Sequence, residues 1–174
     1  MTDPATFTVR HAEPNDYEAF QRIMAGPRVV RETMQLPFPS VERWRKALAE
    51  PAEGTFNLVA CVDSDDSEVV GQIYLGTFPH KPRRRHAGQI GMAVRDDWQG
   101  KGAGSALMQA TVDLADKWLN LSRLELEVYT DNEPAVRLYK KFGFSVEGTL
   151  RRYALRAGQF VDAYMMARLR QDEP

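Results

Sequence analysis

Three glycines and a lysine packed between an apolar run and the start of a helical stripe leave a chain few ways to fold. Residues 99–105 read QGKGAGS. Before them GQIGMAV (88–94) has the character of a strand, and from Ala103 the positions Ala106, Leu107, Ala110, Leu114 and Trp118 keep a helical stripe. Glycine inside a regular element costs roughly 0.5 to 1 kcal/mol against alanine, so this concentration marks a turn where the backbone must be bare. A strand that passes through such a turn into a helix aims successive N–H groups at one point. The helix dipole adds about half a positive charge, and the result is an anion site. Two familiar phosphate patterns do not fit. Lys101 follows the wrong glycine for GxxxxGKS/T, and GxGxxG/A, read on Gly100, Gly102 and Ser105, fails at its third position. A tight turn without a ligand is the competing reading of the glycines alone.

The rest of the 174 residues reads as one domain of mixed α/β class with a largely antiparallel sheet. TFTVR (6–10) alternates as a strand, and Glu13-Pro14-Asn15-Asp16 opens a helix over YEAFQRIM (17–24). Residues 26–40, GPRVVRETMQLPFPS, carry three prolines and no sustained period. They are expected to form a loop bordering a ligand, after which Ser40 caps a helix over VERWRKALAE. NLVACV (57–62) and EVVGQIYLG (68–76) flank SDDS as an antiparallel hairpin. RLELEVY (123–129) puts Leu124, Leu126 and Val128 on one face and Glu125, Glu127 and Tyr129 on the other. EPAVRLYKKF (133–142) forms a helix that stops at Gly143, and FSVEG (144–148) and FVDAYMMARL (160–169) finish as strands.

Composition narrows the function classes. With 43% hydrophobic and 27% charged residues and a net charge of −1, the chain has no bulk field to draw it onto nucleic acid or anionic lipid. The basic KPRRRH (81–86) reads as a solvated hairpin tip rather than an RNA-binding surface, although an acidic substrate or a phosphate could also meet it. MTDPATFTVR lacks the pattern of a secretory signal, and no run approaches the ~18 apolar residues of a membrane span, so a cytoplasmic location is expected. One cysteine, Cys61, rules out an internal disulfide or a cysteine cluster for zinc, and its place in LVACV points to an inert core thiol. Three histidines, at 11, 80 and 86, argue against a metal site.

DNEPAVRLYKKFGF (131–144) places Asn132 at a helix start and Tyr139 two turns later on nearly the same face. Together with the glycine turn, this segment resembles the GNAT family of N-acetyltransferases. The acyl-CoA loop of that family, Gln/Arg-x-x-Gly-x-Gly/Ala, is matched by Gln99, Gly102 and Gly104. Its later pattern NxxAxxLYxxxGF is matched by Asn132, Ala135, Leu138, Tyr139, Gly143 and Phe144. The resemblance runs from about Phe7 to Leu169, and its ending looks most like small bacterial enzymes that acetylate free amino acids or related amines. It implies a single domain over residues 1–174. The fold would be a mostly antiparallel sheet of six to seven strands flanked by about four helices, with a splayed strand pair that binds acyl-CoA.

The resemblance also implies roles. The diphosphate of acetyl-CoA would sit on the N–H groups of Gln99, Gly100, Lys101, Gly102, Ala103, Gly104 and Ser105. Met92, Ala93 and Val94 would form the splayed strand, with the N–H of Met92 or Val94 on the thioester carbonyl. Tyr139 would be the acid near the departing sulfur, with a half-buried packing tyrosine as the alternative. Asn132 would bond the pantetheine arm or a strand backbone, or simply cap its helix. Glu127 matches a base position of some relatives and equally suits a solvated strand face. Where other relatives carry a carboxylate on the preceding strand this chain has Gly88 and Gln89, and a water chain to an acid stays open. Trp44, Met34, Phe38 and Tyr164 are candidates for an apolar amine pocket or for core. The implied activity is direct acetyl transfer, in a ternary complex, to a small primary amine such as an L-amino acid. A protein N-terminal acetyltransferase and a non-catalytic acyl-CoA sensor are the alternatives. No metal, nucleic acid or membrane is expected, and a homodimer is left open.

Overall fold

Strands arise where apolar residues recur at every second position. The computed structural model, which describes residues 6–63 and 68–170, joins seven of them in one sheet. In chain order the elements are β1 (Phe7–His11), α1 (Tyr17–Met24), α2 (Pro27–Glu32), α3 (Val41–Ala49), β2 (Thr55–Val62), β3 (Val69–Thr77), β4 (Ala87–Val94), α4 (Ala103–Lys117), β5 (Arg123–Tyr129), α5 (Glu133–Lys141), β6 (Ser145–Arg156) and β7 (Gln159–Leu169). Across the sheet the order is β1-β2-β3-β4-β5-β7-β6. Every neighbouring pair is antiparallel except β4 and β5. The expected mixed α/β class and largely antiparallel sheet are therefore observed. The SDDS turn lies outside the described residues.

The sheet buries both faces. Leu58, Ile73, Leu75, Leu124, Leu126 and Met166 pack against α4, with α5 adding Tyr139. Val59, Cys61, Val69 and Ala93 pack on the other side against Phe20, Ile23, Met24, Val29 and Leu48 of α1, α2 and α3. Cys61 is buried, as expected from LVACV.

Three elements depart from expectation. Five helices flank the sheet instead of about four, because α2 forms inside the segment expected to be a loop. Pro27 sits in its first turn, and its cap comes from elsewhere: the Asp96 carboxylate accepts from the N–H of Arg28 at 2.9 Å and of Val29 at 3.2 Å. Gly26 makes room, since a Cβ there would lie 2.8 Å from Asp96 Oδ1. Second, the buried face of α4 is Ala103, Leu107, Met108, Thr111, Val112 and Ala115, and Trp118, past the end of the helix, is 80% exposed. Thr111 joins that face because its hydroxyl donates to the Leu107 carbonyl at 2.8 Å. Third, β6 runs to Arg156, well beyond Gly148, as a mostly exposed edge strand with register shifts at Val146/Gly148 and Leu150/Ala154. An edge strand with little to bury has no need of alternation.

Two substitutions measure these contributions. Leu107→Ala should lower unfolding free energy by about 2–5 kcal/mol in urea titration with an unchanged m value. Asp96→Ala should cost about 0.5–2 kcal/mol through the lost cap on α2.

Candidate active site

β4 and β5 are partners over three rungs only, Ala87↔Arg123, Gly88↔Leu124 and Gln89↔Glu125. Beyond Gln89, β4 stays on β3 as far as Val94, and beyond Glu125, β5 stays on β7 as far as Tyr129, so the two strands part. The closed end is clamped by charge. Glu125 accepts from Arg123 at 2.5 Å and Arg84 at 2.6 Å, and Arg123 also reaches Glu147 of β6 at 2.9 Å. Burial pushes the Glu125 carboxyl up, but the two arginines outweigh it and hold it below the usual range.

The parting leaves backbone groups unspent. Arg95 N–H donates to the Val70 carbonyl, so in β4 the odd-numbered residues address β3, while Met92 and Val94 turn their N–H and C=O groups toward the gap. Thr130 N–H donates to Asp162, so Glu127 and Tyr129 address the gap from β5. Gln99 Nε2 already uses the Val94 carbonyl at 3.1 Å.

At the open end of the gap lies the glycine turn. Gly100 (φ +75°) and Gly102 (φ +104°) occupy the left-handed region, and Gly102 precedes α4 without a side-chain cap. The first N–H groups of α4 have no helical turn before them to supply carbonyl partners. Ala103 is buried, and Gly104 lets α4 approach its neighbours, since a Cβ there would meet Leu138 of α5 at 3.2 Å and Met92 of β4 at 3.5 Å. Lys101 Nζ sits 4.8 Å from the centre of the Trp98 ring. The structure thus brings Met92, Val94 and Gln99 through Ser105 together.

Tyr139 is buried on the α4/α5 side with its ring 6.0 Å from that of Phe144, and burial pushes its phenol up to about 12. Asn132 caps α5, its Oδ1 accepting from Ala135 N–H at 3.3 Å. Glu127 lies on the opposite face, where Gln89 Nε2 donates to its Oε2 at 3.1 Å. Gln89 therefore touches the carboxylate that the sequence reading set against it.

α2 spans this second face. At its start Asp96, which also accepts from Gln99 at 3.4 Å, ties it to the segment after β4. Past its end the Tyr129 hydroxyl donates to the Thr33 carbonyl at 3.1 Å. Arg156 binds Asp131 through both terminal guanidinium nitrogens, one at 3.1 Å, and lies 3.9 Å from Glu32. Tyr153 of β6 lies near Glu127, and burial first and the Glu127 charge second push its phenol up. Asp96, Tyr129, Tyr153 and Arg156 were not anticipated. Only strand register and a link 68 residues long assemble them, and no local pattern separates Asp96 from Asp97, which pairs with Arg95 at 2.7 Å.

Of the four pocket candidates, Met34 meets the Tyr129 wall directly, its Sδ 3.5 Å from the Tyr129 hydroxyl. Trp44 packs on Phe20, Phe38 is 97% exposed, and Tyr164 lies with Val128 on the α4/α5 side. KPRRRH precedes β4 while the glycine turn follows it, and the eight residues of that strand hold them about 26 Å apart. Arg84 of that run stacks on Phe78 at 4.5 Å and serves the clamp. Among the described residues no group of three or more His, Cys, Asp or Glu could hold a metal ion, and no helix is long and apolar enough to cross a membrane.

Comparison with known proteins agrees with this geometry. Residues 18–144 match the model of the Acetyltransferase (GNAT) family. The chain is 45% identical over 162 residues to the L-amino acid N-acetyltransferase AaaT of Escherichia coli (strain K12), covering 93% of this chain and 97% of that one. It is 28% identical over 170 residues to the spermidine N(1)-acetyltransferase of the same strain, covering 95% and 87%. In fold it matches the spermidine N-acetyltransferase of Vibrio cholerae in complex with CoA and spermine, with a TM-score of 0.80 at 22% identity, covering 94% and 95%. A phosphinothricin acetyltransferase of Sinorhizobium meliloti in complex with AcCoA gives 0.80 at 21%, covering 94% and 88%. With the family model spanning most of the chain and the splayed strands meeting a glycine turn, the chain belongs to the GNAT family of acetyltransferases.

Proposed function

We propose that the chain transfers the acetyl group of acetyl-CoA to the primary amine of a free L-amino acid or similar small molecule, by direct attack with both substrates bound. The observation that carries this is the gap between β4 and β5 opening onto the glycine turn. A diphosphate would fit there: the N–H groups of Gln99, Gly100, Lys101, Gly102, Ala103, Gly104 and Ser105 belong to the turn and first turn at the positive end of α4, with no Cβ at Gly100 or Gly102 in the way. The pantetheine arm fits the gap as a missing strand would, on the backbone groups of Met92 and Val94 beside Ala93. Bound acetyl-CoA supplies an activated acetyl group whose departing partner is a thiolate.

Each residue then has a task. The N–H of Met92 or Val94 polarises the thioester carbonyl. Tyr139, on the α4/α5 side, hydrogen-bonds the departing sulfur. With its phenol at about 12 against a thiol near roughly 8.5, it stabilises the thiolate more than it gives up its proton. Asn132 holds the start of α5 and hence Tyr139. Glu127, on the α1/α2 side and steadied by Gln89, takes the proton of the amine, which at pKa ~10.4 for a lysine-like group arrives charged. Acid and base lie on opposite faces of the sheet, so the amine enters under α2 as the thiol leaves on the other side.

The amino-acid reading is supported by the AaaT relative, which covers nearly all of both chains. Acetyl-CoA chemistry suits a cytoplasmic location, and the exposed edge strand β6 suits pairing with a second copy.

Thiol release from acetyl-CoA should be fastest with free L-amino acids in a panel that also holds polyamines and N-terminal peptides. Turnover of peptides alone, or none despite tight CoA binding, overturns the reading in favour of an N-terminal acetyltransferase or a sensor. Tyr139→Phe should lower kcat by about 10²- to 10⁴-fold without weakening CoA binding. A phenol raised to about 12 is lost as a donor only as pH rises through that value. The ratio of wild-type to variant kcat should therefore stay constant from about pH 6 to 10, the span over which a positioned acid keeps its proton.

A further inference from the structure

Glycine in the interior of a strand weakens it unless packing or a close approach requires a bare backbone. Gly76 and Gly88 meet that condition: a Cβ at Gly76 would fall 1.9 Å from the Tyr74 hydroxyl, and one at Gly88 would lie 3.0 Å from both Leu75 and Leu121. Gly91 does not. Its φ is outside the left-handed region, it is exposed, and a Cβ built on it meets no atom within 4 Å. Neither the backbone nor the core explains a glycine here.

Its position does. Gly91 lies on β4 between Gln89 and Ala93, on the sheet face opposite Leu126 and Met108, and is the register partner of Tyr74 on β3. The Tyr74 phenol leans along β3 over Gly76, whose register partner is Gln89, so its ring stands beside the open space. The Gln89–Glu127 hydrogen bond bounds the space toward the clamped end. Toward the glycine turn Ala93 is buried with Met24 and Val29. Across the gap the register sets Glu127 of β5 opposite Gly91, with Tyr129, tied to Thr33, one step further toward the glycine turn.

We propose that the open floor at Gly91 receives the substituent on the carbon that bears the amine, and that the absent side chain sets the largest substituent accepted. The assignment rests on the amine-acetylation reading above and deepens it. A nitrogen that gives its proton to Glu127 beside the gap carries its carbon one bond away, and room for a further group exists over β4. The Tyr74 ring offers that group an apolar wall.

The test is the kcat/KM of wild type, Gly91→Ala and Gly91→Val across amino acids with graded side chains, normalised to the smallest one turned over. Gly91→Ala should depress the ratio for the largest accepted side chain by about 10-fold or more, the discrimination expected of one methylene in an apolar pocket, and Gly91→Val should extend the loss to smaller ones. Melting midpoints should hold or rise, because the backbone at Gly91 suits any residue. Tyr74→Ala should shift preference toward larger side chains. Parallel losses for every amine, or a rise in the acetyl-CoA KM that matches them, overturn the assignment while the function stands. A wild type that turns over no amine overturns both.

Discussion

The divergence of β4 from β5 is the constraint on which the rest depends. Each strand has a stronger claim elsewhere: β4 holds seven register pairs with β3 and β5 seven with β7, against three with each other. Antiparallel ladders are slightly the more stable per residue, and sheet twist works against a long parallel seam joined on only one side of the chain. The arginine and glutamate clamp at Glu125 keeps the seam from opening from its closed end. The outcome is an aperture lined by main-chain groups, in a place where a sheet interior would ordinarily have none to offer.

That aperture also separates two chemistries. Tyr139 sits among apolar side chains, where a neutral phenol is favoured. Glu127 sits among polar ones, Gln89, Tyr153 and, along the strand, Tyr129. One sheet thereby gives a dry side and a wet side a few ångströms apart.

What was legible beforehand was what lies close along the chain. The glycine turn, the helix from Asn132 to Tyr139 and the alternation of RLELEVY depend on neighbours within a turn or two, and each stands where its pattern placed it. The helix α2 was not legible because its cap is an aspartate 68 residues away. The buried face of α4 was legible in part, since Leu107, Ala110 and Leu114 meet the core, but Thr111, which satisfies its own hydroxyl and passes for an apolar residue, was missed. The wall of Tyr129, Tyr153 and Arg156 comes from the register of three strands, and the partner of Glu127 lies 38 positions earlier. Local physics wrote the glycine turn and α5; topology alone wrote the wall around Glu127.

Asp96 holds α2 and Gln99 with one carboxylate, and Gln99 in turn holds the end of β4. α2 and the glycine turn are therefore tied together through one carboxylate. Under the function proposed above, any influence of coenzyme binding on the amine side is matched by an equal influence in the other direction. On the function proposed above, a lineage that remodels residues 27–34 to admit new amines would inherit, as an unselected by-product, a changed grip on its coenzyme.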